Sequence, residues 1–95
     1  MVTISKLEKT NDGIHKWLAI FNDGKTTKFG AYGMNDYTLT GDKEARRLYR
    51  VRHLKDLNTN DPQRAGYLSY YILWGESTNI NTNVKSFNKK FTASF

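Results

Sequence analysis

The residues whose types and spacing suit acid–base or metal chemistry are few in this sequence. His53 and Asp56 lie three residues apart, a spacing that puts both on one face of a helix. Imidazole and carboxylate suit several divalent ions, and a metal held there would activate water against a phosphodiester. The other acid–base candidates are His15, Asp36 and Glu44. Two ligands make a weak motif, so the sequence predicts no catalytic residue, no metal site and no cofactor.

Positive charge is concentrated on one predicted helix. Between residues 43 and 53, cations recur at spacings that gather them on one face at 100° per residue. These cations are Lys43, Arg46, Arg47 and Arg50, and the side chains predicted for the opposite, apolar face are Ala45, Leu48, Tyr49 and Val51. Neighbouring like charges cost about 0.2–0.5 kcal/mol per pair, which a polyanion would relieve, and arginine binds phosphate through two parallel hydrogen bonds. The pattern predicts a phosphate-binding face; the alternatives are a solvated basic face and pairing with nearby aspartates.

The overall charge favours the same interpretation. The chain of 95 residues has a formal net charge of +6. Residues 42–95 hold ten Lys and Arg against five Asp and Glu, a net of +5 (10 − 5). An excess of this kind favours an acidic partner, and nucleic acid is the commonest. Secondary candidates for phosphate contact are Arg52, His53, Lys55 and Arg64, with Lys85, Lys89 and Lys90 as an extension of the same track.

The glycine-rich segment Gly30-Ala31-Tyr32-Gly33 is a further candidate for ligand chemistry. It lacks the Gly-x-Gly-x-x-Gly fingerprint and the strand–helix setting of a dinucleotide loop, so we do not expect it to hold a nucleotide. Its position between a strand and an Asn-Asp turn predicts positive φ at Gly30 and Gly33. Tyr32 and Tyr37 are the candidates for stacking on a base, provided that they are exposed.

Length and composition bound the class of protein. A chain of 95 residues has room for one small core, so we expect a single domain over residues 1–95. The absence of cysteine excludes disulfides, thiolate catalysis and zinc–thiolate sites. No apolar run approaches the roughly 20 residues that span a bilayer, and the N-terminus lacks a signal-peptide segment. We therefore expect a soluble protein that is not secreted and has no membrane partner.

Turn signals predict the strands that begin the fold. Asn-Asp-Gly occurs at residues 11–13 and 22–24, and Asp-Gly between apolar runs is a strong hairpin signal. Strands are predicted at about 2–10, 14–22 and 25–31. They form a three-stranded antiparallel meander.

Capping residues and periodicity predict three helices in the second half. Asp42 is a suitable N-cap for residues 43–57, and Asp61-Pro62 begins a helix that runs to residue 74. The segment from Tyr67 to Trp74 is apolar nearly all round, which predicts the buried, central helix. A third helix over residues 82–92 has Val84, Phe87 and Phe91 on its apolar stripe. The predicted fold class is α+β, with the N-terminal meander packed against about three C-terminal helices.

Several blocks of this sequence resemble a small, uncharacterised protein family of nucleocytoplasmic large DNA viruses, of the chlorella-virus and mimivirus kind, and of some protists. The resemblance covers about residues 19–91 and is most specific at the Phe-Gly-Ala and Ala-Gly-Tyr-Leu-Ser blocks. The blocks that carry it are residues 21–31, Asp36-Tyr37-Thr38, Arg50 with Arg52-His53, Thr59-Asn60-Asp61-Pro62, residues 65–71 and Leu73-Trp74-Gly75. It implies a viral protein that acts in the nucleus or cytoplasm of a host cell or is packaged in a virion. It implies no mechanism.

Taken together, the residues and the resemblance predict a sequence-tolerant nucleic-acid-binding protein, with DNA preferred, of a large DNA virus. One alternative is a protein–protein interaction module of the virion or host, which includes a homo-oligomer formed through an open edge of the sheet. A second alternative is a metal-dependent nuclease that uses His53 and Asp56. Weakening of binding with salt would separate nucleic-acid binding from self-association.

Overall fold

A three-stranded antiparallel sheet begins the fold. The computed structural model describes residues 3–92, and residue 2 of the first predicted strand lies outside that range. The strands are β1 (Ile4–Lys9), β2 (His15–Phe21) and β3 (Thr26–Ala31), in the spatial order β1-β2-β3. The predicted meander and the α+β fold class are confirmed.

In both Asn-Asp-Gly turns, the aspartate side chain accepts hydrogen bonds from backbone N–H groups. Asp12 accepts hydrogen bonds from the backbone N–H groups of Ile14 and His15, both at 2.9 Å. Asp23 accepts from the N–H of Lys25 at 3.0 Å. These backbone donors hold the pKa of both carboxyls below the usual range, because each stabilises the ionised form. Each aspartate is therefore ionised when it stabilises its hairpin turn.

Helices make up the second half, in the order α1 (Tyr37–Thr40), α2 (Lys43–His53), α3 (Ala65–Leu68) and α4 (Ile80–Thr92). Helix α2 continues into a 3₁₀ segment, Leu54–Thr59, and α3 continues into a π-helical segment, Ser69–Leu73. None of the helices within residues 3–92 is long and apolar enough to cross a membrane.

The helix boundaries confirm one predicted N-cap and correct the other. Asp42 is the N-cap of α2, since its side chain accepts from the N–H groups of Glu44 and Ala45, both at 3.1 Å. The predicted cap at Asp61 is wrong: Asp61 closes a turn by accepting from Gln63, and the helix starts later, at Ala65, behind Arg64. Pro62 was expected in the first turn of the helix. It lies instead in this non-helical turn.

The core lies between the sheet and the helix pair α3–π and α4. Phe21 and Phe29 from the sheet meet Leu68 and Ile72, with Phe87 of α4 closing the layer. The predicted central position of the Tyr67–Trp74 segment is confirmed, and the hydroxyl of Tyr67 donates to the carbonyl of Leu57 at 2.9 Å. The hydroxyl of the buried Tyr67 is therefore hydrogen-bonded, as expected of a polar group in a core.

Two polar contacts tie distant segments to the core. The side chain of Asn88 accepts from the N–H of Ile4 at 2.8 Å and donates to its carbonyl at 3.1 Å, which joins α4 to the first strand. Lys16 and Asp36 form an ion pair at 2.5 Å that is almost completely buried. Asp36 also accepts from the N–H of Thr38 at 2.9 Å and so caps α1. The contacts of Asp36 fix the position of the loop that precedes α2.

Candidate nucleic-acid interface

Helix α2 packs on the rest of the protein through side chains from both of its predicted faces, the cationic face and the apolar face. Arg46, Tyr49 and Arg50 are half-buried, whereas Leu48 and Val51 are 42% and 65% exposed. Leu48 and Val51, on the predicted apolar face, therefore do not pack into the core, and the four cations are not all exposed. The helix is rotated so that two of the four cations lie against the body of the protein.

The two inward arginines bind the end of the central helix. Arg50 donates from one terminal nitrogen to the carbonyls of Tyr70 and Trp74, at 3.2 and 2.8 Å. Arg46 donates from Nε to the carbonyl of Gly75 at 2.7 Å. The last carbonyls of a helix lack intrahelical partners and carry partial negative charge, so guanidinium groups stabilise them. Part of the repulsion expected on α2 is thereby offset within the protein itself.

An aromatic stack completes the contact of α2 with the central helix. The ring of Tyr49 lies between His53 and Trp74, with centroid separations of 4.1 and 4.4 Å. Burial raises the pKa of the Tyr49 hydroxyl, with a smaller contribution from the charge of Asp56. This stack explains why the helix turns Tyr49 and the arginines inward rather than Leu48 and Val51.

His53 and Asp56 do lie together, as their spacing predicts, with 3.0 Å between Nδ1 and Oδ2. The part of the chain that the structure describes contains no group of three or more His, Asp and Glu side chains placed to hold a metal ion. His53 also stacks on Tyr49, so the His53–Asp56 pair lies at the contact of α2 with the central helix.

A basic cleft of about 260 Å³ separates α2 from α4. Its lining includes Arg50 and Lys90, which are 40 positions apart in the sequence. Both cations lie over the ring of Tyr71, at 5.8 and 5.5 Å from its centroid. Glu76 is the single acid among the described residues that line the cleft. Within residues 3–92, one terminal nitrogen of Arg50 has no protein hydrogen-bond partner. The cleft therefore gathers two cations around one aromatic ring.

Other predicted contact residues border this cleft. Lys43 and Arg47 lie seven and three positions before Arg50, which puts them on the adjoining face of α2. Both are exposed, and Arg47 is paired with Glu44 at 2.5 Å. On α4, Lys89 is exposed and lies three positions after Ser86, a residue of the cleft lining, while Lys85 is exposed further round the helix.

The remaining predicted residues lie elsewhere. Arg52 is exposed on the opposite side of α2, with a 3.4 Å contact from Nε to the carbonyl of Leu48. Lys55 is exposed on the 3₁₀ segment. Arg64 precedes α3 and lies 3.6 Å from Asp61. These cations are not part of the basic cleft.

The two tyrosines proposed for base stacking differ in exposure. Tyr32 is 67% exposed in the glycine loop, as base stacking requires. Tyr37 is 7% exposed at the start of α1, with the guanidinium of Arg46 lying 5.7 Å from its ring centroid. Burial leaves the ring of Tyr37 no free face for a base, so the condition set for stacking fails there.

Sequence reasoning missed the residues that shape the cleft between its two cations. Tyr71 was assigned only to the buried helix, and Glu76 and Ser86 were given no functional role. No spacing in the sequence relates these positions to α2, since the π-helical segment sets the direction of Tyr71. One signal was available for the stack: Tyr49 and His53 are four residues apart, the spacing of side chains that touch on a helix.

Comparison with known proteins gives a family and no activity. No curated protein and no solved structure matches the chain. Residues 5–53, just over half of the chain, match a family of unknown function, DUF5754. The matched segment contains the sheet except for Ile4, the glycine loop and all of α2. By this match, the chain belongs to the DUF5754 family of unknown function.

Proposed function

We propose that this protein binds nucleic acid through the phosphate backbone, at the basic cleft between α2 and α4, without reading base sequence. The observation that carries the proposal is the convergence of Arg50 and Lys90 over Tyr71. Two cations that line one small cleft favour an anion within it, and a guanidinium edge without a protein partner offers phosphate a directed donor. The net charge of +6 brings a polyanion toward the protein from a distance.

The cleft continues into a track of exposed cations that suits a backbone ligand. Lys43 and Arg47 extend it along α2, and Lys89 extends it along α4. Arg46 is outside this track because its Nε is held by the carbonyl of Gly75. Tyr32 is exposed, but its neighbours Ala31 and Gly33 line a cavity on the other side of α2, so it is not part of this track. Phosphate contacts position a protein on its ligand and carry no sequence information, so the proposed binding is sequence-tolerant.

The biological setting is part of the same proposal. The resemblance of residues 19–91 to proteins of nucleocytoplasmic large DNA viruses supports a role on a viral genome or its transcripts. The corresponding location is the nucleus or cytoplasm of the host cell, or the virion. DNA is the preferred ligand in this setting.

Salt-titrated binding to labelled duplex DNA, single-stranded DNA and single-stranded RNA of equal length tests the proposal. The variant Lys43→Gln/Lys89→Gln/Lys90→Gln removes three cations at the cleft and leaves the arginines that stabilise the helix end. Each lost duplex contact flattens the slope of log affinity against log salt by about 0.9, so we expect a change of about 2–3 units. Binding to unrelated sequences weakens to the same extent.

A charge-matched control variant is Lys6→Gln/Lys25→Gln/Lys28→Gln. Lys6 and Lys28 are paired across the sheet with Ile20 and Leu18 on its outer face, and Lys25 lies in a turn. Both variants have a formal net charge of +3 (6 − 3), so they differ only in where the charge is lost. The control is expected to keep most of the slope. Equal losses in the two variants would show a non-specific charge effect, and binding that ignores salt would exclude the proposal.

A further inference from the structure

A second and larger cavity lies on the other side of α2, and nucleic-acid binding at the basic cleft does not use it. This apolar groove has a volume of about 740 Å³ and separates α2 from the loop that follows β3. Met34 and Leu48 form its two rims, and Tyr49, Leu73 and Trp74 lie deeper within it. The volume is within the range of about 300–1,000 Å³ that is typical of ligand-binding cavities. Around the helix axis, Arg52 at the groove projects about 160° away from Arg50 at the cleft.

The groove continues onto an exposed aliphatic ridge. Leu48, Val51 and Leu54 follow one another at three-residue spacing, and all three are exposed. The inward rotation of Arg46 and Tyr49 is what leaves this ridge in solvent. Clustered aliphatic side chains on the surface of a soluble domain indicate a contact surface for another molecule.

Cations lie at helical contact distance from two members of the ridge. Arg52 lies four positions after Leu48. Lys55 lies four positions after Val51. The surface therefore alternates aliphatic and positively charged side chains. Its complement is a segment that alternates aliphatic and acidic side chains.

Two other occupants fit the groove less well. A second copy of this chain also has a net charge of +6, so like charges would oppose its approach. A nucleic-acid base needs an open aromatic face, and both faces of Tyr49 are already covered by His53 and Trp74. The aliphatic rims offer no hydrogen-bonding edge to a base.

We infer that the apolar groove docks an acidic, amphipathic segment of a partner protein. Aliphatic side chains of that segment enter between Met34 and Leu48, and its carboxylates pair with Arg52 and Lys55. Helix α2 then separates two binding surfaces of different chemistry, with nucleic acid on one side and a protein partner on the other.

The probe is a synthetic peptide of about three helical turns, with Leu at i, i+3, i+4 and i+7 and Glu at the other positions. Titration of the isotope-labelled full chain is followed by NMR. We expect shifts at the N–H of Gly33, at Leu48 and at the indole N–H of Trp74. Trp17 is outside the groove and serves as an internal control. The same peptide with Lys in place of Glu, or Ser in place of Leu, is expected to leave these signals unchanged.

Two pairs of protein variants sharpen the test. Leu48→Ser weakens peptide binding about tenfold, whereas Leu39→Ser, at another exposed leucine outside the groove, leaves it unchanged. Arg52→Gln weakens peptide binding and lowers the salt dependence of that binding. Arg64→Gln changes neither. These leucines and arginines are exposed, so the variants keep the fold. No shift with the Glu peptide, equal binding of the Lys peptide, or displacement of the peptide by duplex DNA would overturn the inference.

Discussion

Two arginines of helix α2, three positions apart, have different roles because they face different surroundings. Arg47 is exposed and paired with Glu44, whereas Arg50 donates to two carbonyls and lies 4.0 Å from the ring centroid of Tyr70. An exposed ion pair contributes little to stability, while a charged hydrogen bond to an otherwise unsatisfied carbonyl contributes more. Residue type alone does not distinguish them.

We predict that Arg50→Gln lowers the free energy of unfolding by about 2 kcal/mol, since the shorter side chain cannot reach the carbonyls of Tyr70 and Trp74. Arg47→Gln removes the same charge and is expected to change it by less than about 0.5 kcal/mol. Urea unfolding of both variants measures the difference. An equal loss of stability in the two would contradict the capping role of Arg50.

The end of β3 and the loop that follows it owe their path to backbone conformations that only glycine adopts readily. Gly30 and Gly33 have φ of +80° and +84°, as the sequence predicted. Gly30 is also crowded: a Cβ there would lie 2.9 Å from the Cδ1 of Leu73 and 3.2 Å from the Cβ of Lys16. A Cβ on Gly33 would meet open space. The first glycine is thus needed for both conformation and packing, and the second for conformation alone.

We predict that the two alanine variants lower the free energy of unfolding by different amounts. Gly33→Ala should lower the free energy of unfolding by about 1 kcal/mol through backbone strain. Gly30→Ala should cost about 2 kcal/mol or more, because strain and overpacking against Leu73 add. Thermal unfolding of each variant gives the comparison. If Gly33→Ala proved the more damaging, the crowding at Gly30 would not matter for stability.

Contacts between segments far apart in the sequence hold the whole molecule together. Leu68 and Ile72 lie fully buried between the sheet and α4, and Asn88 binds the backbone of Ile4. The family match ends at residue 53, before all of the helices that cover the sheet. The strands of the matched segment therefore need α3 and α4 to bury their apolar face.

We predict that Leu68→Ala lowers the free energy of unfolding by about 3 kcal/mol and the melting temperature by roughly 10–20 °C. The cavity left in a small core has no large neighbouring layer that could close it. Leu54→Ala is the matched control, since Leu54 is exposed and its truncation removes little buried area. Similar melting temperatures for the two variants would show that Leu68 does not hold the core together.

Local signals in the sequence predicted the elements well. The Asn-Asp-Gly turns, the Asp42 cap and the apolar Tyr67–Trp74 segment depend on contacts within a few residues, so the meander, α2 and the buried helix could all be predicted. The cap at Asp61 was wrong because the choice between a turn and a first helical turn there depends on packing of the later residues. Charge composition predicts an acidic partner, for which the salt titration is the test.

The rotation of α2 was decided by tertiary structure alone. Its sequence suits two orientations: Leu48 and Val51 inward for hydrophobic burial, or Arg46 and Arg50 inward. The second prevails because the central helix ends opposite α2 and presents carbonyls of Tyr70, Trp74 and Gly75 that need donors. Trp74 also offers a ring on which Tyr49 stacks. Periodicity records which side chains share a face of a helix, whereas the neighbour determines which face is covered.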